Sequence, residues 1–143
     1  MTNFKYPKTL RIGSKQTFKS VFDYKLFAKN DLMTVYIAPN NLKESRFAVS
    51  VSSKAAPACA RNRLKRIARE AFRLSRYDIP AGFDYLIIYS RSLSKLAVSD
   101  IKATALAQVR QGFTALVEQV YKRYEKRRYK EALNNAEDTG VCD

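Results

Sequence analysis

The densest group of chemically active side chains in this sequence is a basic stretch, ARNRLKRIAREAFR, at residues 60–73. Six of its fourteen residues are Arg or Lys, and Glu70 is its only acid. Like charges at helical spacing repel each other by about 0.2–0.5 kcal/mol per pair. Phosphate groups would relieve this repulsion, because a guanidinium pairs with them through two parallel hydrogen bonds. The stretch therefore predicts a surface that binds a polyanion.

Groups suited to catalysis are scarce in the chain. It contains no histidine, the side chain that most often acts as a general acid or base. Its 13 acids are scattered, and the nearest groupings, Asp78 with Asp84 and the pair at 137–138, do not resemble a two-metal site. Cys59 and Cys142 are isolated and predict neither a zinc site nor a disulfide framework. We expect no metal site and no catalysis by the chain alone.

The composition restricts the class of protein. The 143 residues carry a formal net charge of +14 with a pI near 10, and 46% of them are apolar. This combination predicts a folded domain whose partner is nucleic acid or an anionic membrane surface. The N-terminus lacks an apolar signal region and no apolar run reaches bilayer length, so we expect a cytoplasmic protein without a membrane role. Residues 1–133 are predicted to form one domain, and the polar, acidic residues 134–143 a disordered tail.

The elements that position the basic stretch follow from hydrophobic periodicity and turn residues. Ser14 is suited to cap a first helix that runs to Tyr24. Pro39-Asn40-Asn41 lies between two segments rich in β-branched and aromatic residues, which predicts a hairpin. The predicted order is α-β-β-β-α-β-α, an α+β arrangement. Its remaining segments are a short strand around Leu26–Lys29, the hairpin strands Leu32–Ala38 and Arg46–Ser52, the basic helix Ala60–Ser75, a buried strand Phe83–Ser90 and a long helix from Ser99-Asp100.

The basic helix is predicted to have two faces. At about 100° per residue its apolar side chains fall within roughly 160° of arc. The basic ones occupy a separate arc of roughly 100°, with Arg61 and Arg63 splayed from the first turn. The predicted buried residues are Leu64, Ile67, Ala68, Ala71, Phe72 and Leu74, and the predicted exposed ones are Asn62, Lys65, Arg66, Arg69, Arg73 and Arg76. The helix is therefore expected to pack through one side and to present cations on the other.

The block Arg61-Asn62-Arg63-Leu64-Lys65-Arg66 resembles the RNR signature of the bacterial ribonuclease P protein component. Similar agreement continues in the first helix at Phe18-x-x-Val21-Phe22, in the strand FAVSVS at 47–52 and in the last strand at 84–88. The resemblance implies a ribosomal protein S5 domain 2-like sandwich. In this fold the RNR helix lies in a left-handed β-α-β crossover, although such crossovers are nearly always right-handed.

The resemblance also implies a function and a set of site residues. The protein would be the subunit of an endoribonuclease that removes the 5′ leader of precursor tRNA, with the catalytic centre and its Mg²⁺ in the RNA subunit. No obligatory protein partner is implied. The implied RNA-subunit contacts are Arg61, Asn62, Arg63, Lys65, Arg66, Arg69 and Arg73. The implied leader cleft comprises Phe18, Phe22, Tyr36, Ser50, Ser52 and Lys54.

The sequence departs from the family pattern in two places, and other classes of protein remain open. Ser53 stands where many members have Lys, and Ala56-Pro57 replaces a glycine-containing loop. From the residues alone, core packing at helical spacing is the favoured interpretation of Phe18 and Phe22. A structural RNA-binding protein of the ribosome would share the fold and the charge. A DNA-binding helix module is the third class, but no helix-turn-helix spacing precedes Ala60.

Overall fold

The computed structural model of the chain describes the backbone of residues 11–140 and the side chains of residues 11–135. The predicted order of elements is confirmed, with two short helices added before the last one. The elements are α1 (Lys15–Asp23), β1 (Phe27–Lys29), β2 (Met33–Pro39), β3 (Arg46–Ser50), α2 (Ala58–Ser75), β4 (Phe83–Tyr89), a 3₁₀ helix (Arg91–Lys95), α3 (Val98–Lys102) and α4 (Leu106–Gly140).

The four strands form one mixed sheet in the order β1-β2-β4-β3. The prediction that β2 and β3 form a hairpin is wrong, because β4 lies between them, antiparallel to β2 and parallel to β3. Six of the seven residues of β4 are buried, so the strand is apolar on both faces and its central place keeps both faces covered. The parallel pairing of β3 with β4 requires a crossover, and α2 provides it, as predicted.

The sheet separates two apolar layers. On one face the side chains of Val35, Ile37, Phe47 and Tyr85 pack with α2 and α4 in the main core. On the other face Leu86 and Ala38 pack with Val21 of α1 in a smaller cluster. Ser14 caps α1 as predicted, since its hydroxyl accepts the Thr17 N–H at 3.1 Å. Functional surfaces on α1 and α2 therefore lie on opposite sides of the sheet.

The helix α2 is fixed to the sheet by its predicted apolar face. Leu64, Ile67, Ala68, Ala71 and Phe72 are buried, while Leu74 is half-buried. The Phe72 ring stacks on Phe47 of β3 with centroids 4.8 Å apart. The hydroxyl of Tyr89 in β4 donates to the Leu64 carbonyl at 2.9 Å. Both strands that flank the crossover thus hold the helix that they connect.

The last helix departs from the prediction at its start. The chain forms α3 at Val98–Lys102, breaks, and begins α4 at Leu106 instead of continuing from Ser99-Asp100. Ile101 of α3 and Val109 of α4 are both buried. The helical spacing of apolar residues therefore continues across the break, and the sequence pattern does not show where it occurs. At its other end α4 runs to Gly140, so residues 134–140 of the predicted tail continue the helix. Residues 141–143, with Cys142, lie outside the described residues.

The length of α4, 35 residues, does not make it a membrane span. Among residues 11–140 no helix combines the length and the apolar character needed to cross a bilayer.

The buried phenols of β4 predict alkaline unfolding. Burial raises the pKa of Tyr85 and Tyr89 above the free-phenol value of about 10. The unfolded phenols ionise first, so above about pH 10 the unfolded state binds fewer protons and the free energy of unfolding falls as pH rises. Each tyrosine contributes up to about 1.4 kcal/mol per pH unit. Urea unfolding between pH 7 and pH 11 measures this slope.

The variant Tyr89→Phe should lose about 1 kcal/mol at pH 7, because the hydrogen bond to Leu64 is removed. Its alkaline slope should fall by about half, since one of the two buried phenols is gone. The control Tyr129→Phe changes a ring that is 67% exposed and should keep the original slope. An unchanged slope in Tyr89→Phe would contradict this account of alkaline unfolding.

Candidate nucleic-acid interface

The outer side of α2 carries a row of polar and cationic side chains, called here the α2 ridge. Arg66, Arg69 and Asn62 are exposed, whereas Lys65 is half-buried at the edge of the packed face. Arg73 and Arg76 continue the row to the C-terminal end of the helix and are half-buried. The α2 ridge therefore comprises Asn62, Lys65, Arg66, Arg69, Arg73 and Arg76, of which the last two and Lys65 are less exposed than the helical arc predicts.

Two acids offset the C-terminal part of the α2 ridge. Glu70 pairs with Arg73, with 2.7 Å between Oε2 and Nη2, and these hydrogen bonds raise the pKa of Arg73. Glu44 lies 3.6 Å from Arg76. No ion pair with another described residue involves Lys65, Arg66 or Arg69. The uncompensated charge is thus concentrated in the middle of α2.

The two arginines of the first turn differ in their surroundings. Arg63 is exposed and its Nε donates to the carbonyl of Lys102, the last residue of α3, so its charge lies at the end of that helix. Arg61 is half-buried, and its Nε is buried without a hydrogen-bond partner in the described part of the chain. Such a donor is costly to leave unpaired.

The opposite face of the sheet exposes aromatic rings beside α1. The Tyr36 ring lies 5.1 Å from that of Phe22 and 5.2 Å from that of Phe27, centroid to centroid. Phe22 and Phe27 are 46% and 39% exposed, while Phe18 is half-buried against the smaller apolar cluster. We call Phe22, Phe27 and Tyr36 the aromatic cluster. Exposed rings of this kind offer stacking surfaces for unpaired bases.

The other predicted cleft residues lie along and beyond β3. Ser50 pairs with Ile88 and shares the face of Tyr36, because directly paired residues point to the same side of a sheet. Ser52 follows the strand, and its hydroxyl accepts the Lys54 N–H at 3.2 Å. Lys54 is exposed and, with Ser53 and Pro57, lines a groove of about 230 Å³ against the 3₁₀ helix and α3. The structure thus places Ser50 on the same face as the rings but two strands away from Tyr36, and Ser52 and Lys54 beyond the end of β3.

Sequence reasoning missed part of this face. Phe27 completes the aromatic cluster, and Lys29 begins a cross-strand row that continues through Thr34 and Ile88 to Ser50. Beside that row a groove of about 520 Å³ also includes Arg91. The signal was present in β1, where buried Ala28 alternates with exposed Phe27 and Lys29. This alternation covers only three residues, so the role of Phe27 cannot be predicted without knowing that β1 pairs with β2.

The acids do not form a reactive group in the described residues. Asp84 is buried and accepts two hydrogen bonds from Arg46, at 2.8 and 2.7 Å, and a third from Asn40 at 3.0 Å. The hydrogen bonds with Asp84 raise the pKa of Arg46, and together with Asn40 they occupy the Asp84 carboxylate in a structural role. No group of three or more His, Cys, Asp or Glu side chains able to hold a metal occurs within the described part of the chain. Cys59 is an exposed free thiol.

Comparisons with known proteins agree on one family. The family model described as Ribonuclease P matches residues 6–117. The ribonuclease P protein component of Pasteurella multocida is 34% identical over 97 residues, covering 67% of this chain and 81% of that protein. The corresponding component of Petrotoga mobilis is 34% identical over 110 residues, covering 73% and 92%. The solved ribonuclease P protein of Thermotoga maritima is 28% identical with a TM-score of 0.66, covering 76% of this chain and 96% of its own.

The charge balance of the α2 ridge is testable through Glu70. Glu70→Gln removes the negative charge beside Arg73, so affinity for a double-helical RNA should rise. The plot of log affinity against log salt should steepen by about 0.9, the value for one further phosphate contact on a duplex. Glu70→Asp keeps the charge at the same position and should retain the original slope. A slope for Glu70→Gln equal to that of the parent chain would show that Arg73 does not face the polyanion.

Proposed function

The chain belongs to the bacterial ribonuclease P protein family, and from that premise we propose that it binds RNA through two surfaces on opposite sides of its sheet. The family makes it a protein subunit of the tRNA-processing endoribonuclease and implies association with ribonuclease P RNA. In the proposal the α2 ridge, with Arg61 and Arg63, contacts the RNA subunit. The aromatic cluster, with Phe18, Ser50, Ser52 and Lys54, receives the 5′ leader of precursor tRNA.

The observation that carries the proposal is the separation of two unlike surfaces. Arg66 and Arg69 project from a helix packed on one face, without ion pairs to the described residues. The rings of Phe22 and Phe27 are exposed on the other face. A row of cations suits the phosphates of a folded RNA, whereas rings beside a basic groove suit a single strand. One small domain can therefore hold both RNAs at once.

The protein's contribution to cleavage is positional and electrostatic. The described residues contain no carboxylate cluster able to hold a metal, so we assign the reactive Mg²⁺ to the RNA subunit. Cations on both faces lower the repulsion between the phosphates of the two RNAs. Holding the leader also places the scissile bond at the RNA subunit's centre, which converts a bimolecular encounter into an oriented one. The largest benefit is expected where Mg²⁺ is limiting.

Reconstitution tests the function directly. The chain is mixed with a bacterial ribonuclease P RNA and a precursor tRNA at low Mg²⁺, where the RNA alone is slow, and leader removal is followed on a gel. The expected result is stimulated cleavage at the mature 5′ end. Absence of stimulation would exclude the proposed function and favour a structural RNA-binding role of the kind found in ribosomes.

The α2 ridge is tested by its exposed arginine. Arg69→Ala should weaken binding of the RNA subunit by roughly ten- to 150-fold, because a hydrogen bond to a charged group contributes about 1.5–3 kcal/mol. The slope of log affinity against log salt should also become less steep by about 0.9. Arg128→Ala removes the same exposed side chain from α4 and is the matched control. If both variants lose affinity equally, net charge rather than the α2 ridge governs binding.

The aromatic cluster is tested by Tyr36→Ala. Loss of a stacked base should weaken holoenzyme binding to precursor tRNA by about 1–3 kcal/mol, with no effect on mature tRNA, which lacks the leader. Tyr36→Phe retains the ring and should bind as the parent does. Thermal unfolding of each variant checks that the half-buried site keeps its fold. Equal losses for precursor and mature tRNA would place the leader elsewhere.

A further inference from the structure

We propose that the C-terminal half of α4 carries a third RNA-binding surface, which holds leader nucleotides that extend beyond the aromatic cluster. The surface, called here the α4 ridge, comprises Lys122, Arg123, Lys126, Arg127 and Lys130. The proposal rests on the proposed function, since it extends the path of the same leader. All five of its residues lie outside the family match, because that match ends at residue 117 while α4 continues to Gly140.

The α4 ridge is a one-sided distribution of charge. Residues 119–135 contain six Lys or Arg and two Glu. At about 100° per residue, the five ridge cations occupy roughly 140° of arc, and the acids Glu125 and Glu131 fall outside it on either edge. A solvated helix face ordinarily mixes charges of both signs. The arrangement therefore concentrates positive charge on one side of the helix.

Two of these cations fix the direction in which the α4 ridge faces. The guanidinium of Arg123 donates to the Phe27 carbonyl, and that of Arg127 donates to the carbonyls of Tyr24, at 2.8 Å, and Lys25, at 3.3 Å. Arg127 also lies over the Tyr24 ring, 4.9 Å from its centroid. The helix is thereby held against the turn between α1 and β1. Because Tyr24 contacts both apolar layers, this turn is where the two faces of the sheet meet.

Two of the three remaining cations are available to a ligand. Lys126 and Lys130 are exposed and form no ion pair with a described residue, whereas Lys122 lies 3.6 Å from Glu118. Lys126 and Lys130 line a groove of about 360 Å³ together with the two anchored arginines. Leu26, Asn134 and one carboxylate, that of Glu131, complete the lining. Four cations against one acid make this groove suited to a phosphate backbone.

The position of the α4 ridge identifies the leader as the ligand. Arg123 is bound to the backbone of Phe27, whose ring lies 5.2 Å from that of Tyr36. A strand that stacks on the aromatic cluster and leaves it over β1 would therefore pass directly onto the α4 ridge. Although α4 packs on the same face of the sheet as α2, the α4 ridge lies at the β1 edge, next to the aromatic cluster.

The test compares leader lengths in the reconstituted holoenzyme. Binding is measured for precursor tRNA with a leader of about four or about sixteen nucleotides, the range of site sizes of single-strand-binding folds. Lys126→Ala/Lys130→Ala should weaken binding of the long-leader substrate on the order of tenfold and reduce its salt slope by about 1.4, or 0.7 for each lost phosphate contact. Binding of the short-leader substrate and of mature tRNA should not change. Alanine favours helix, so α4 is retained, which circular dichroism confirms.

Two controls separate the possible results. Arg128→Ala removes a cation from another side of α4, where Arg128 lies over the Tyr124 ring at 5.9 Å, and should leave the long-leader substrate unaffected. Tyr36→Ala should weaken binding of both the short-leader and the long-leader substrate. If the double variant binds the long leader as the parent does while Tyr36→Ala loses affinity, the α4 ridge proposal fails and the proposed function stands. If the double variant loses the same affinity for the long-leader substrate, the short-leader substrate and mature tRNA, the α4 ridge contacts the tRNA body and the proposal is overturned. If the double variant instead binds the RNA subunit more weakly, the α4 ridge contacts that RNA and the proposal is also overturned.

Discussion

The burial of β4 on both of its faces is the constraint on which the rest of the structure depends. A strand with apolar residues on each side has to lie in the middle of the sheet and be covered twice, by α2 and α4 on one face and by α1 on the other. Its parallel pairing with β3 makes α2 a crossover helix, and the Tyr89 hydroxyl joins β4 to α2 within the core. The α2 ridge and the aromatic cluster lie on opposite sides of the sheet because β4 is covered on both of its faces.

The arrangement resolves the electrostatic problem of a helix rich in arginine. Packing of Phe72 on Phe47 secures α2 independently of its charge, so the helix tolerates cations that repel one another. Glu70 and Glu44 offset only the C-terminal part of the row. The middle of the helix retains its charge in the free protein, and the proposed partner supplies the compensation. Stability and binding are therefore assigned to different sides of the same helix.

Local patterns predicted much of the fold and less of the surface. The two faces of α2, the cap at Ser14 and the burial of β4 follow from periodicity and side-chain chemistry, and all are observed. The false hairpin shows the limit, because turn residues such as Asn40 predict a reversal of the chain but not which strand lies alongside. Phe27 was missed for a similar reason, since a three-residue strand gains meaning only from its pairing. The break before α4 was hidden because the buried spacing continues through it.

The two edge strands of the sheet have a consequence for the protein before it meets RNA. The outward carbonyl of Phe27 in β1 is occupied by Arg123, and at the other edge the segment at Arg11 and Ile12 bridges Phe47 of β3. An uncovered edge is a template on which a second chain can add a strand and begin aggregation. Both edges here are short and partly occupied by the chain's own N- and C-terminal segments. The fold thus limits strand addition between copies of the free protein, and the net charge of +14 adds repulsion between them.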